Sequence, residues 1–145
     1  MADHFNYISF GDAAYAAGVD GPLQMYRGRM FEYTPTELEK RLESLDGRSL
    51  AFLETLPTFL CSEANRTEDG VTMIVRFGRV SNMGLGGREV SATFEPLVEF
   101  GEVGFEDLEA ARSVFEADAF QLYRTHWAVR EGDADAVLAL SLIHI

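Results

Sequence analysis

The feature that most constrains this chain is a run of alternating side chains. Val71, Met73, Val75 and Phe77 alternate with Thr72, Ile74 and Arg76, the period of two that sends successive side chains to opposite faces of a half-buried strand. Past a turn at Asn82 to Gly87, Val90, Ala92 and Phe94 alternate again. Residues 71–95 therefore read as a long β-hairpin, which needs further strands or helices over its apolar side to be stable. Gly78 interrupts the first strand, where a glycine marks a bulge or a close backbone approach. The cluster Gly84-Leu85-Gly86-Gly87 has the composition of a phosphate loop, but such loops join a strand to a helix N-terminus. This one joins two strands, so it reads as the hairpin turn, where glycine supplies positive φ.

Helical signals flank the hairpin. Thr34-Pro35-Thr36-Glu37 reads as a capped helix start, and Leu38, Leu42 and Leu45 follow at helical spacing. Gly47 ends that helix, Ser49 caps a short successor through Leu53, and Pro57 stops it. Phe105, Leu108, Ala111 and Phe115 share one face of a helix over 105–117, and Asp133 caps a last helix through Val137 and Leu140. Short strands are expected at 27–33, 59–61 and 120–123. Antiparallel pairing beside separate helices gives an α+β class: an antiparallel sheet built around the 71–95 hairpin with three to four packed helices.

At 145 residues the chain makes one domain, large enough to bury about 70% of its unfolded surface without disulfides or metal. Residues 1–24, rich in alanine and glycine without periodicity, read as a loosely ordered N-terminal arm, and 25–140 as the domain. Residues 141–145, Ser-Leu-Ile-His-Ile, read as a non-native or truncated tail, with the natural protein continuing past it. A single cysteine, Cys61, excludes an internal disulfide and fits a reducing, cytoplasmic setting. The net charge of −12 disfavours nucleic acid unless a local basic patch overrides it. No apolar run reaches the roughly 20 residues of a membrane helix.

Rare residue types concentrate in Arg124-Thr125-His126-Trp127-Ala128-Val129-Arg130, which holds the only tryptophan. His126 can act as a general base near neutral pH, Arg124 and Arg130 can clamp an anion, and Trp127 offers a stacking face. The same residues can equally close a core. A catalytic reading makes His126 the base, oriented by Asp133 or Asp135, but no nucleophile accompanies it and Cys61 sits in an apolar strand that makes it inert. No His-x-x-x-His or Cys-x-x-Cys spacing points to metal, and nothing calls for a cofactor. Arg76, Arg79 and Arg88 make the hairpin a basic island that can contact phosphates of a nucleotide or RNA, or simply face water and guard an edge.

Three pieces carry a family resemblance: Phe31-Glu32-Tyr33-Thr34-Pro35-Thr36-Glu37-Leu38, Arg79-Val80-Ser81-Asn82 with Gly87-Arg88, and Arg124 to Arg130. Over residues 25–140 they resemble a poorly characterised prokaryotic domain found in front of effector domains, TIR domains among them, in bacterial signalling and defence proteins. Members of that group read Lys-Asp where this chain has Arg130-Glu131, and carry a proline-rich stretch in place of Pro96 to Gly104. The resemblance implies a non-catalytic recognition or regulatory module, partnered by a downstream effector domain or another protein. The alternatives are a small enzyme acting on an anionic substrate through His126, and a nucleotide or RNA binder using Arg76, Arg79 and Arg88.

Overall fold

The computed structural model describes residues 4–10, 21–68, 70–105, 109–110 and 125–137. They form a curled, half-barrel sheet from β1 (His4–Phe10), β2 (Gly21–Tyr26), β3 (Thr58–Ser62), β4 (Asn65–Thr67), β5 (Gly70–Gly86), β6 (Glu89–Phe105) and β7 (His126–Glu131). The strand order is β2-β6-β5-β3-β1-β7, with β4 beside β5. β1 and β3 run parallel, and the other strand pairs run antiparallel. The helices are short: a 3-10 turn at Arg27–Arg29, α1 (Thr36–Leu42) and α2 (Gly47–Glu54).

This overturns the expected α+β class with three to four packed helices, because the molecule is mostly sheet. The reason lies in β1 and β7. Every side chain from Phe5 to Phe10 and from His126 to Val129 is buried, so neither strand has a wet face and neither shows polar–apolar alternation. Residues 4–10, assigned from sequence to an arm, lie hydrogen-bonded between β3 and β7. Residues 11–20, the expected strand 120–123 and the tail 141–145 lie outside the described residues. Of the expected 105–117 helix, Phe105 ends β6, 109–110 are helical, and the rest lies outside them.

The hairpin is longer than 71–95 and is the backbone of the fold. Gly86 pairs with Glu89 across a turn at Gly87 and Arg88, and Gly87 has φ 62°, the positive value that the first central position of a type II′ turn demands. At Gly78 an added Cβ would sit 2.0 Å from the Glu95 carbonyl oxygen, so glycine permits the strands to cross closely. Register shifts at Val75/Arg76 and Phe77/Gly78 leave Phe100 and Leu97 as extra residues on β6. Those bulges and Pro96 hide the strand from a periodicity reading, and Glu95 and Glu99 lie on β6.

The hairpin also serves two cores. Val71, Met73, Val75, Val103 and Phe105 pack with Phe5, Tyr7, Phe59 and Cys61 on one face. Val80, Val90, Ala92 and Phe94 pack with Ile8, Leu60, Trp127 and the leucines of α1 and α2 on the other. The buried positions thus change from odd to even along β5, between its base and its tip.

Caps differ from expectation in detail. Pro35, not Thr34, precedes α1, because the Thr34 hydroxyl accepts a hydrogen bond from the Val129 N–H at 3.0 Å. Gly47 opens α2 instead of ending its predecessor, and the cap is Asp46, whose carboxylate accepts from the Ser49 N–H at 2.9 Å. That bond holds the Asp46 carboxyl below its ordinary range. Asp133 does head the last turn, accepting from the N–H of Asp135 with its side chain and of Val137 with its carbonyl.

Candidate functional site

The Trp127 segment was the leading candidate, and the fold places it inside. Trp127 is 0% exposed. Its indole N–H donates to the Asn6 side-chain oxygen at 3.1 Å. The Asn6 amide in turn donates to the Leu53 carbonyl and the Thr58 hydroxyl, both at 3.0 Å. One network therefore ties β7, β1, α2 and β3 together, and the indole and amide donors within it are paired, as a low-dielectric interior requires. The ring has no free face on which a base or sugar could stack.

His126, beside Trp127, points to the opposite face and is also 0% exposed. Its ring lies 5.7 Å from that of Tyr7 and 5.3 Å, edge-on, from that of Tyr33. Asp133 and Asp135, expected to orient it, are both exposed, and the Asp133 carboxylate accepts from the Asp135 N–H. They follow Glu131, which ends β7 about 16 Å from His126 at the usual strand rise. The cross-strand partner of His126 is Ser9, the rings against it are Tyr7 and Tyr33, and Cys61 pairs with Ser9 on the next strand, β3. Burial pushes the Tyr7 phenol well above its ordinary value, with Cys61 adding to the effect. Burial likewise pushes the Cys61 thiol up, which agrees with an inert thiol.

Residues 27–34 explain why this region is closed. After β2 the chain leaves one edge of the curled sheet and crosses to the other, β7. Arg29 donates to the Thr125 carbonyl at 3.2 Å. Met30 bridges Trp127 in parallel, and the Phe31 N–H donates to the Trp127 carbonyl at 2.7 Å. Tyr33 covers His126, and Thr34 holds the Val129 N–H. The expected 27–33 strand is thus a 3-10 turn followed by a strap. Phe31 and Tyr33 both adopt left-handed backbone, φ 66° and 60°, a conformation that costs a bulky L-residue about 1–3 kcal/mol. The Arg27 N–H also donates to the Arg88 carbonyl at 2.7 Å. The hairpin turn at Arg88 and the start of β7 at Trp127 are therefore both held by this strap.

The basic island dissolves. Arg76 is 2% exposed, with its guanidinium over the Phe94 ring at 5.2 Å and its Nε donating to Glu99 at 3.0 Å. Glu99 reaches solvent, so the pair carries a charge through the sheet face at the crossing instead of presenting it to a ligand. Arg79 is exposed and donates to the Thr55 carbonyl at 2.8 Å. Arg88 is exposed at the hairpin turn. These three face different surroundings and do not form one patch. Arg130 is half-buried and reaches the Tyr33 carbonyl at 3.5 Å; Arg124 lies outside the described residues.

Sequence reasoning missed Asn6, Phe31, Tyr33 and Thr34 as members of this constellation. Asn6 had one legible signal, a lone amide inside the apolar run Phe5 to Phe10. The other three had none, since a hydroxyl beside a proline reads first as a cap. Among the described residues no group of three or more His, Cys, Asp or Glu is placed to hold a metal, and no helix is long and apolar enough to cross a membrane.

Among the described residues, fold and site together define a small, mostly-β arrangement in which His126, Trp127 and Arg76 are buried. Compared with family models, curated proteins and solved structures, the chain finds no match.

Proposed function

We propose that this chain is a non-catalytic recognition or regulatory module, working in the cytoplasm as the N-terminal accessory domain of a larger prokaryotic signalling or defence protein. The observation that supports it is the placement of His126 and Trp127. The histidine is enclosed by Tyr7 and Tyr33, and the tryptophan is spent on Asn6. A general base must come within hydrogen-bond reach of substrate, and neither ring is open to one in this arrangement. The buried Arg76 disfavours the RNA reading in the same way, because a guanidinium held by Glu99 and Phe94 has no reach to a phosphate backbone.

The partner in this reading is a downstream effector domain in the same chain or a separate protein. The deciding experiment is to sequence the locus beyond residue 145 and express the full reading frame. An effector domain in frame, with activity that changes when this domain is deleted, supports the proposal. A free-standing gene that stops directly after Ile145 overturns it.

A further inference from the structure

We propose that the end of the sheet formed by Tyr26, Arg27, Leu85 and Arg88 is a docking surface for an acidic, apolar segment of a partner protein. This names the partner-facing surface of the recognition module proposed above and rests on that reading.

Proximity in sequence groups Arg88 with Arg76 and Arg79, but the fold gives it a different companion. The Arg27 N–H donates to the Arg88 carbonyl at 2.7 Å, so the 3-10 turn after β2 lies against the turn of the β5–β6 hairpin. Tyr26, the last residue of β2, pairs with Glu89, and Leu85, near the end of β5, pairs with Val90. Residues 26, 27, 85 and 88 thereby come to one end of the sheet. Tyr26 is 63% exposed and Leu85 40%, and Arg27 and Arg88 are both exposed.

The charge at this end runs against the rest of the chain, which carries 24 acidic residues against 12 basic ones. Residues 23–31 and 85–91 hold one acid, Glu89. Among the described residues neither Arg27 nor Arg88 has an ion pair, with Glu89 or any other carboxylate. Arg76, by contrast, is held by Glu99, and Lys40 and Arg41 stand between Glu39 and Glu43 on α1. A guanidinium is weakly hydrated and presents a planar fork of donors that matches a carboxylate. Single exposed apolar residues are ordinary. An exposed tyrosine and leucine beside two uncompensated arginines make a surface with both halves of an interface, apolar contact and charge.

The complement is a segment that puts carboxylates on the arginines and an apolar side chain on Tyr26 or Leu85. A nucleic acid fits less well, because its unbroken line of phosphates runs past the two arginines onto a body of net charge −12. A second copy would have to offer Leu97 and Val98, which are exposed between Glu95 and Glu99, and two bodies of that charge repel.

The test is an NMR titration of the chain with a short peptide alternating glutamate and leucine. Its comparisons are the lysine–leucine counterpart, a single-stranded RNA oligonucleotide and vesicles of anionic phospholipid. The acidic peptide should shift the amides of Tyr26, Arg27 and Arg88 selectively. Arg27→Glu and Arg88→Glu should each weaken it by about 10-fold or more, and Tyr26→Ser should weaken it as well. Lys40→Glu, the same charge change on α1, should leave it unchanged. Raising salt from about 0.1 M to about 1 M, which shortens the screening length from about 10 Å to about 3 Å, should weaken it too. No shift at these amides, or an equal response to the lysine–leucine peptide, overturns the proposal. Tighter binding of RNA or vesicles at the same amides overturns it by giving the surface another partner. Sedimentation that shows self-association, abolished by Arg88→Glu, makes a second copy the occupant and overturns it likewise. The deletion experiment above decides the module reading separately: an effector indifferent to this domain overturns that reading while peptide binding persists, and a peptide that fails to bind overturns this surface alone.

Discussion

The hairpin β5–β6 and the seam between β1 and β7 are both built of paired antiparallel strands, yet they are held in different ways. The hairpin's partners are adjacent in sequence, its turn is two residues long, and its critical point is a backbone crossing at Gly78 against the Glu95 carbonyl. At the seam the partners Trp127 and Asn6 are 121 residues apart, and the critical points are side chains: an indole, an amide and two hydroxyls. A short loop closes at little entropic cost, whereas the long-range seam forms only after the intervening chain is ordered. A local pair can rely on its ladder. A distant pair needs fastenings specific to one register.

The largest expected effect breaks the seam. Trp127→Ala should cost about 3–5 kcal/mol, the range for deleting a buried aromatic, read as a lower urea midpoint. Breaking the hairpin at its own critical point should come next. Gly78→Ala pushes a Cβ onto backbone that cannot rotate away, and is expected to cost up to about 3 kcal/mol by overpacking, whereas Ala at Gly28, where nothing lies within 4 Å, should be near neutral. A smaller loss should sharpen the contrast: Asn6→Ala leaves the indole N–H without its acceptor, for about 1–3 kcal/mol. If Asn6→Ala were as stable as the native chain, the seam would be held by packing alone.

The two remaining expectations concern pH. Tyr7 and Cys61, on the seam's second face, have raised values in the folded state, so the unfolded chain ionises first as pH rises. Their stabilisation is complete below the ordinary thiol value of 9.0 and is lost as pH climbs past it and past 10.0 for the phenol. A denaturation series from pH 8 to 11 (about one unit either side of those values) should show falling stability, and Tyr7→Phe with Cys61→Ala should flatten it. Asp46 behaves oppositely, since its value is lowered in the fold. Its contribution holds above the ordinary carboxyl value of 3.8 and fades as pH falls below it. The thermal-stability difference between the native chain and Asp46→Asn should therefore shrink in acid, and this is the smallest of the effects.

The comparison also explains what could be read in advance. Alternation at Val71 to Phe77 and at Val90 to Phe94 announced the hairpin, because there each strand has one wet face. β3 was legible as Phe59-Leu60-Cys61, a short apolar run. β1 was not, because Phe5 to Phe10 is covered on both sides and mixes Asn6 and Ser9 among its aromatics. β6 beyond Phe94 was hidden by Pro96 and two bulges. The Trp127 segment was legible as unusual, but its residue types fit a ligand clamp and an internal lock alike. Arg76, Arg79 and Arg88 looked like one group because they are close in sequence, and the twist and bulges of the hairpin send them to different surroundings.

What the sequence determined by itself was local: period, turn chemistry, the glycine at the crossing, the helical faces of Leu38, Leu42 and Leu53. These follow from φ/ψ preference and from which side of one element meets water. Only the tertiary structure decided that His126 and Trp127 lie inside, that Thr34 serves Val129 instead of its own helix, and that residues 27–34 bind the far edge of the sheet. Each of those depends on a partner supplied from a distant part of the chain. A side chain's donors and acceptors are the same in either role, and only the arrangement in space says which of its partners it meets.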